Sequence, residues 1–540
     1  MPRLRAPSED SGRPPCPAEL PYQPPMRNLA FYATLVFAVG PLWSIPPISW
    51  AFVLYSLISG SVWSYSGLRL LVFIWAIAET FFSVYYYSLA RFVSGPCPIP
   101  AGEMRELQIT FTRVLKAGLA DLPEDGYDEE TTKAARPGSP AEDIVQLERD
   151  DHRAVDFRNS LRTWFGKAPW SHIRRREMQE WLYWAIFNAR LPADTSSLPH
   201  AQQVFLDEAL QLIEKRSGTV IPPGSNPSAT RPMLLTLDAV NFAWRPLVWY
   251  LFVAFGNWAM RQRLIIKYGM RVIEHDGVEY LLRVPKGWNA QTGPTPLLFL
   301  HGLGLGLVQY ALILHTLLPR SEHRPLLVPL QPHISQLIFH PKFLSPKGRH
   351  ELSASMAALF VKLGWVYDEN DQEKNAVDAP KGVTVFSHSN GSFVHAWLLK
   401  AHPDMITRSC FVDPVTFCSW EGDVCHNFLY RRPATALQLL MYYFVGSELG
   451  VTNVLQRHFD WASNSLYYEE IPHARDPSRT MFFLGGQDAI LSAERVKKYL
   501  TSHGIRKGLM YDPDGRHGSA LLQGTPGFVE LTRWLDEPDP

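Results

Sequence analysis

The chain has 540 residues, more than one ordinary domain needs, and 46% of them are hydrophobic, which allows a large core or a membrane contact. Lysine plus arginine and aspartate plus glutamate number 52 each. This balance argues against nucleic acid as a partner, because binding to phosphates needs a basic excess. The five cysteines form no CxxC pair and no zinc spacing, so we predict neither a metal site nor a disulfide framework.

The N-terminal part changes character at residue 28. Residues 1–27 are proline-rich and mixed in charge, which predicts a disordered N-terminus. Residues 28–66 contain no charged side chain, and residues 70–90 contain only Glu79. About 20 apolar residues are enough to cross a bilayer as a helix. We therefore predict a transmembrane region over 28–93 with two or three spans, its prolines breaking the first part; a buried helical hairpin of a soluble protein is the alternative.

The next part shows helical patterning, which predicts a helical region over 94–232. It includes a flexible acidic insert at 121–150 and a linker at 218–232. Three arginines at 174–176 precede Trp181 and neighbouring aromatic residues. This pattern is typical of a helix that lies on anionic lipid, and equally of a solvated face beside a packed one.

A second apolar stretch, PLVWYLFVAFGNWAM, lies between Arg245 and Arg261. It is short for a membrane span. We interpret residues 233–266 as a hydrophobic helix that lies at the membrane interface, with a full span as the lesser possibility.

From residue 267 the pattern becomes an alternation of strands and helices. Asp276-Gly277 between two alternating apolar runs predicts a β-hairpin. The series that follows predicts an α/β fold, with a mostly parallel central sheet covered by helices. The reactive groups of such a sheet gather beyond the carboxyl ends of its strands. The later strand candidates are Leu297–Leu300, Leu326–Leu330, Val383–Phe386, Ser409–Val412, Met481–Leu484 and Leu509–Tyr511.

The strand VTVF is followed at once by Ser387-His388-Ser389-Asn390-Gly391 and a helical pattern. In a nucleophile elbow, the positions two before and two after the nucleophile must be small. Ser387 and Gly391 satisfy this requirement around Ser389. We therefore predict Ser389 as the nucleophile, and we expect His388 to pack beside the elbow without a catalytic role.

A glycine-rich turn, His301-Gly302-Leu303-Gly304, follows an earlier strand. Acyl transfer needs two N–H donors for the developing oxyanion. We predict that these are the backbone amides of Leu303 and Asn390, with His301 ordering the turn by hydrogen bonding. The glycine spacing does not match a nucleotide-binding loop, so we expect no cofactor.

Two more strand ends carry the groups that a serine nucleophile requires. Asp488 follows the strand TMFFL, and His517 follows the last strand. A serine hydroxyl needs a histidine base, and the histidine needs an acid that orients it. Asp413 also follows a strand and is the alternative acid; Asp488 is preferred.

With these motifs, residues 270–536 resemble the α/β-hydrolase superfamily in its membrane-anchored form. The resemblance implies Ser389 as nucleophile, Asp488 as acid and His517 as base, in a domain over 267–540. The aromatic and aliphatic insertion at about 414–478 predicts a helical lid over an apolar pocket suited to acyl chains.

We therefore expect a membrane-associated serine hydrolase that cleaves a hydrophobic, lipid-like carboxylic ester. An acyltransferase that uses the same triad and a non-catalytic scaffold with this fold are the alternatives. The expected partners are the ester or lipid substrate and the membrane, without nucleic acid or metal. The expected location is the endoplasmic reticulum or lipid-droplet membrane, with the hydrolase domain facing the cytosol.

Overall fold

The computed structural model describes residues 26–119, 144, 146–228, 230–320, 322–367 and 382–540. Most of the predicted disordered N-terminus and most of the predicted acidic insert lie outside the described residues. Element numbers below follow chain order.

Two long apolar helices form the N-terminal part: α1 (Leu29–Ile58) and α2 (Gly67–Val93). Both are long and apolar enough to cross a membrane, by length and composition alone. The expectation that prolines break the first helix is wrong. A π-helical turn at Leu35–Val39 precedes Pro41, and Pro46 and Pro47 lie inside the continuing helix.

Both arms of this hairpin pack against the rest of the fold. Near the start of α1, Phe31 and Val39 join a buried cluster with Tyr443. On α2, the ring centroid of Phe82 lies 5.6 Å from that of Tyr250. The loop between the two helices makes up the far end of the hairpin.

The helical region consists of α3 (Met104–Lys116), α4 (His152–Leu161), α5 (Arg175–Phe187) and α6 (His200–Ser217). Trp181 and Trp184 of α5 are buried, so the packed interpretation of this helix applies, and its aromatic side chains do not face lipid. Trp164 Nε1 donates to the carbonyl oxygen of Trp420 at 2.7 Å. The helical region therefore shares one core with the predicted lid. The described residues of the predicted linker at 218–232 form neither helix nor strand, and Ile221 is buried in that core.

Helix α7 (Leu247–Tyr268) occupies the second apolar stretch and has two different faces. The inner face is buried and comprises Tyr250, Val253, Asn257, Met260 and Leu264. The outer face carries large exposed apolar side chains, namely Val248, Leu251, Phe252, Phe255 and Trp258. The apolar outer face is the kind of surface that an interfacial helix needs, and the location of this helix at a membrane interface stays a prediction.

The remaining chain forms an eight-stranded sheet in the order β1-β2-β4-β3-β5-β6-β7-β8. β2 runs antiparallel to both of its neighbours, and the pairs from β4 to β8 are parallel. The strands are Arg271–His275, Val278–Arg283, Leu297–Leu300, Leu326–Leu330, Val383–His388, Ile406–Val412, Thr480–Gly485 and Leu509–Asp512. The predicted mostly parallel α/β sheet is confirmed.

Helices cover both faces of this sheet. On β5, Val385 belongs to a core cluster with the helices at 349–362 and 391–401, whereas Phe386 belongs to the cluster with the helices at 311–320 and 526–536. The helices are α8 (Ala311–Arg320), α9 (Arg349–Lys362), α10 (Gly391–Ala401), α11 (Ala436–Gly446), α12 (Leu449–Arg457), α13 (Ala493–Ser502) and α14 (Pro526–Asp536). Because the strands from β3 onwards are parallel, their carboxyl ends meet at one edge, and the predicted reactive residues lie there.

Candidate active site

The turn between β5 and α10 has the geometry of a nucleophile elbow. Ser389 has a φ of +52°, in the left-handed region that side chains other than glycine rarely adopt. A Cβ atom on Gly391 would overlap the carbonyl oxygen of Leu300, so only glycine fits there. This sharp turn places the Ser389 hydroxyl beyond the end of the strand.

The three serines of this segment have three different environments. Ser387 is fully buried, and its Oγ lies 2.9 Å from His395 Nδ1 beneath the sheet edge. Ser392 Oγ donates to the Ser389 carbonyl at 2.6 Å and accepts from Val415 N at 3.1 Å, which ties the elbow to the lid. Of the three, only Ser389 has its hydroxyl beside the histidine that follows the last strand.

That histidine is His517, whose Nε2 lies 2.9 Å from Ser389 Oγ. Its Nδ1 lies 2.5 Å from Asp488 Oδ2. The other carboxylate oxygen of Asp488 accepts from Ile490 N at 2.7 Å and Leu491 N at 3.2 Å. Both carboxylate oxygens are therefore held, one by the imidazole and one by backbone amides.

The protonation of His517 is set by two opposing effects. Burial, the largest single effect, lowers the pKa of His517. The charge and hydrogen bond of Asp488, together with the charge of Asp413, outweigh it, and the net pKa lies above its ordinary value. A raised pKa means that the imidazole is a stronger proton acceptor than a free histidine. This is the property that a base acting on a serine hydroxyl requires.

Asp413, the alternative acid, occupies a different position. Its Oδ1 accepts from Gly485 N at 2.9 Å, and its Oδ2 accepts from Gly518 N at 2.6 Å. Burial raises the pKa of this carboxyl to about 6. Asp413 therefore anchors the two turns that carry Asp488 and His517, while the imidazole itself is paired with Asp488.

Asp413, Asp488 and His517 place ligand-type atoms within 4.8 Å of one another, a spacing that a metal ion can use. Those atoms already have hydrogen-bond partners, either backbone amides or each other. The cluster thus has the character of an acid–base network.

The predicted oxyanion donors face the same space as Ser389. Leu303 and Asn390 both line the cavity that contains Ser389 and His517. Within the described part of the chain, neither backbone amide donates a hydrogen bond. Two unpaired N–H groups beside a nucleophile are suited to receive a developing oxyanion.

A hydrogen-bond chain connects the oxyanion turn to the elbow. Gly302 N donates to Tyr310 Oη at 2.8 Å, and Tyr310 Oη lies 2.7 Å from His388 Nδ1. The phenol and the imidazole therefore join the oxyanion turn to the elbow. Burial holds the pKa of His388 well below its ordinary value, so this ring is neutral.

The sequence predicts that His301 orders the oxyanion turn by hydrogen bonding. His301 is buried, and its Nδ1 lies 3.0 Å from the carbonyl oxygen of Gly302. Burial lowers its pKa, so the ring is neutral. Gly302 is required at this point, because a Cβ atom there would meet Ser389 Cβ at 2.9 Å. Gly304 has a φ of +144°, and its amide donates to Ile334 O at 3.0 Å.

The cavity at Ser389 has a volume of about 250 Å³ and mainly apolar walls. Half of the lining residues come from the predicted lid: Val415, Val424, Cys425, Phe428, Leu429, Met441, Val445, Leu455 and Phe459. The insertion therefore does lie over the site. Its apolar lining suits an acyl chain.

Sequence reasoning missed Tyr310 and the anchoring function of Asp413. Tyr310 lies just before α8, in a segment with no motif, and its contact with His388 joins positions 78 apart in the chain. For Asp413, the sequence suggests only the role of an acid. Its position at a strand end is the one feature that marks it as a site residue, and Asp488 has the same feature.

No family model and no curated protein matches the sequence. Solved structures do match. One is described as a membrane phospholipase A that is a bacterial virulence factor: 13% identity, 54% of this chain, 96% of that chain, TM-score 0.33. Another is carboxylesterase CesB from Bacillus subtilis: 11% identity, 53% and 98% coverage, TM-score 0.32. A third is a putative aryl esterase from Burkholderia cenocepacia: 15% identity, 49% and 96% coverage, TM-score 0.30. The sheet order and the strand-end turns of the chain itself are those of the α/β-hydrolase fold.

Proposed function

We propose that this protein is a membrane-associated serine hydrolase that cleaves a hydrophobic carboxylic ester through Ser389, His517 and Asp488. The observation that carries the proposal is the continuous contact from Ser389 Oγ to His517 Nε2 and from His517 Nδ1 to Asp488 Oδ2, at 2.9 and 2.5 Å. The two unpaired amides beside Ser389 complete the set of groups that acyl transfer requires.

In this mechanism Ser389 Oγ attacks the ester carbonyl carbon while its proton moves to His517 Nε2. The amides of Leu303 and Asn390 hold the oxyanion. The carbon–oxygen bond to the alcohol then breaks, and the alcohol leaves with the proton from His517. Water attacks the acyl-enzyme with His517 again as base, which releases the carboxylic acid and regenerates Ser389.

The preference for a hydrophobic, lipid-like ester is supported by the apolar cavity and by the outer helices. The lid supplies an apolar wall at Ser389. Helices α1 and α2 have the length and composition of membrane spans, and α7 exposes a row of large apolar side chains. Exposed apolar area of this extent is a mark of a membrane or partner contact.

The direct test is labelling with a fluorophosphonate probe, which reacts with an activated serine. We expect the wild type to be labelled and Ser389→Ala to be silent. Ser387→Ala is the matched control, because it removes a neighbouring hydroxyl whose partner is His395, not His517. An unlabelled wild type, or equal labelling of Ser389→Ala, contradicts the proposal.

The two alternatives make different predictions. A non-catalytic scaffold predicts His517 far from Ser389, and the 2.9 Å separation counts against it. An acyltransferase predicts a transferred acyl product when an alcohol acceptor is added, whereas a hydrolase releases free acid. Product analysis with and without acceptor separates these two.

A further inference from the structure

Two more cavities adjoin the one at Ser389. The inner cavity, of about 590 Å³, shares Asn390 and Phe393 with the Ser389 cavity. The outer cavity, of about 650 Å³, shares Gln331 and His333 with the inner one. The three spaces thus follow one another from the nucleophile towards helix α7. The proposed hydrolysis uses only the first of them.

The walls of the two additional cavities contain polar and charged side chains, and most of the charged ones form ion pairs with each other. Arg261 is paired with Glu279 at 3.3 Å in the outer cavity, and Lys347 is paired with Glu351 where the two cavities meet. Burial lowers the pKa of His333 to about 3, so this ring is a neutral hydrogen-bonding group. Such walls suit an uncharged polar ligand better than an anion.

Gln331 is the residue that indicates a ligand-binding position in these two cavities. The residue lines both cavities and is 7% exposed. Its Nε2 has no acceptor among the described residues. A buried amide without a partner costs roughly 1–3 kcal/mol, so such groups normally meet a ligand or a water.

The outer cavity lies beside helix α7, at the point where the exposed face of that helix changes character. Trp258 and Arg261 both line the cavity. Before Trp258 the outer face is apolar, with Phe252 and Phe255 exposed. After it come Arg261, Arg263 and Lys267. Tryptophan followed by basic side chains is typical of the boundary between the hydrocarbon and the headgroups of a membrane.

We infer that the inner and outer cavities bind the uncharged, hydroxyl-bearing alcohol portion of the ester, while its acyl chain fills the apolar cavity at Ser389. The alcohol portion extends from Asn390 past Gln331 towards Trp258, where we place the headgroup region of the membrane. The substrate class is therefore an acyl ester of a polyol such as glycerol. This inference rests on the proposed ester hydrolysis and names the substrate of the same site.

The test uses the full-length protein in detergent micelles and two decanoyl esters, monodecanoylglycerol and methyl decanoate. They share the acyl chain and differ in the alcohol. We expect Gln331→Met to lower kcat/KM for the glycerol ester about three- to tenfold, the size of one lost hydrogen bond, and to leave the methyl ester unchanged. Leu352→Phe, which fills the junction of the two cavities, is expected to act in the same direction.

Gln456→Met is the matched control, because Gln456 is also buried but accepts from Asn241 N and lies outside these cavities. It is expected to leave the ratio of the two activities unchanged. Equal effects of Gln331→Met on both esters, or no effect, overturn the inference. A wild type that reacts with fluorophosphonate yet prefers the methyl ester also overturns it while leaving the proposed function standing. A wild type that does not react with the probe contradicts the proposed function itself.

Discussion

The strand ends around Ser389 and the outer faces of α1, α2 and α7 distribute polar and apolar groups in opposite ways. Around Ser389, Asp413 and His388 are buried and Asp488 and His517 are half-buried, and most of their polar side-chain atoms have defined partners. On the outer faces, large apolar side chains are exposed: Phe37 is 82% exposed and Phe81 is 73% exposed. The first arrangement stores desolvated charge for chemistry. The second is the arrangement expected at a membrane or partner contact. Under the proposed function, one region carries out the reaction and the other locates it at the membrane.

The largest effect expected from this comparison concerns the catalytic groups. Ser389→Ala and His517→Ala should each lower kcat/KM by about 10⁵-fold or more, because nucleophile and base act as a unit. The double variant should be no worse than either single one. Steady-state hydrolysis of a water-soluble ester measures this. Additive losses would show that the two residues act separately.

The next prediction distinguishes the roles of Asp488 and Asp413 by the loss of kcat when each is replaced. Asp488→Asn should lower kcat by about 10³- to 10⁴-fold, because it leaves the imidazole without its orienting charge. Asp413→Asn should lower it only about tenfold, because Asp413 holds backbone amides of the turns at Gly485 and Gly518. The measurement is kcat for both variants, with circular dichroism as the folding control. The reverse ranking would make Asp413 the acid.

A further effect concerns pH. His517 must be neutral to accept a proton, and Asp488 raises its pKa against the opposing effect of burial. The rate should therefore rise with pH through a midpoint above the ordinary value of about 6.5. In Asp488→Asn the midpoint of the residual activity should shift downwards. The pH profile of kcat/KM on a soluble ester measures both, and an unshifted midpoint would separate Asp488 from the titration of His517.

The smallest expected effect is on vesicle binding by the exposed apolar face of α7. Phe252→Ser and Phe255→Ser remove exposed apolar area from α7 and should weaken binding to lipid vesicles several-fold each. Hydrolysis of a soluble ester should stay the same. Val529→Ser, an exposed apolar position on α14, is the matched control. Vesicle flotation measures the binding, and equal loss in the control would remove the special role of α7.

The parts of this structure that the sequence predicts are those with local signals. The sheet is predictable because apolar strands alternate with helical patterns, and the turn at Ser389 is predictable because its small residues are adjacent in the chain. The continuity of α1 is less so, since Pro41, Pro46 and Pro47 favour a break, whereas a π-helical turn accommodates the first of them.

Long-range pairings had no such signal. The bond from Trp164 to Trp420 joins the helical region to the lid across 256 positions, and neither segment carries a motif for it. The choice between Asp413 and Asp488 also depends on spatial neighbours. Both follow strands, and only the folded turns show which carboxylate reaches His517.

The hairpin of α1 and α2 gives the molecule a sidedness. Its first arm is held at Phe31 by the lid segment, and its second arm is held at Phe82 by α7, so both arms leave from and return to the same body. A hairpin inserted into a bilayer therefore brings the chain back to the leaflet from which it departed. For an inserted hairpin, the start of α1, the end of α2 and Ser389 therefore lie on the same side of the bilayer.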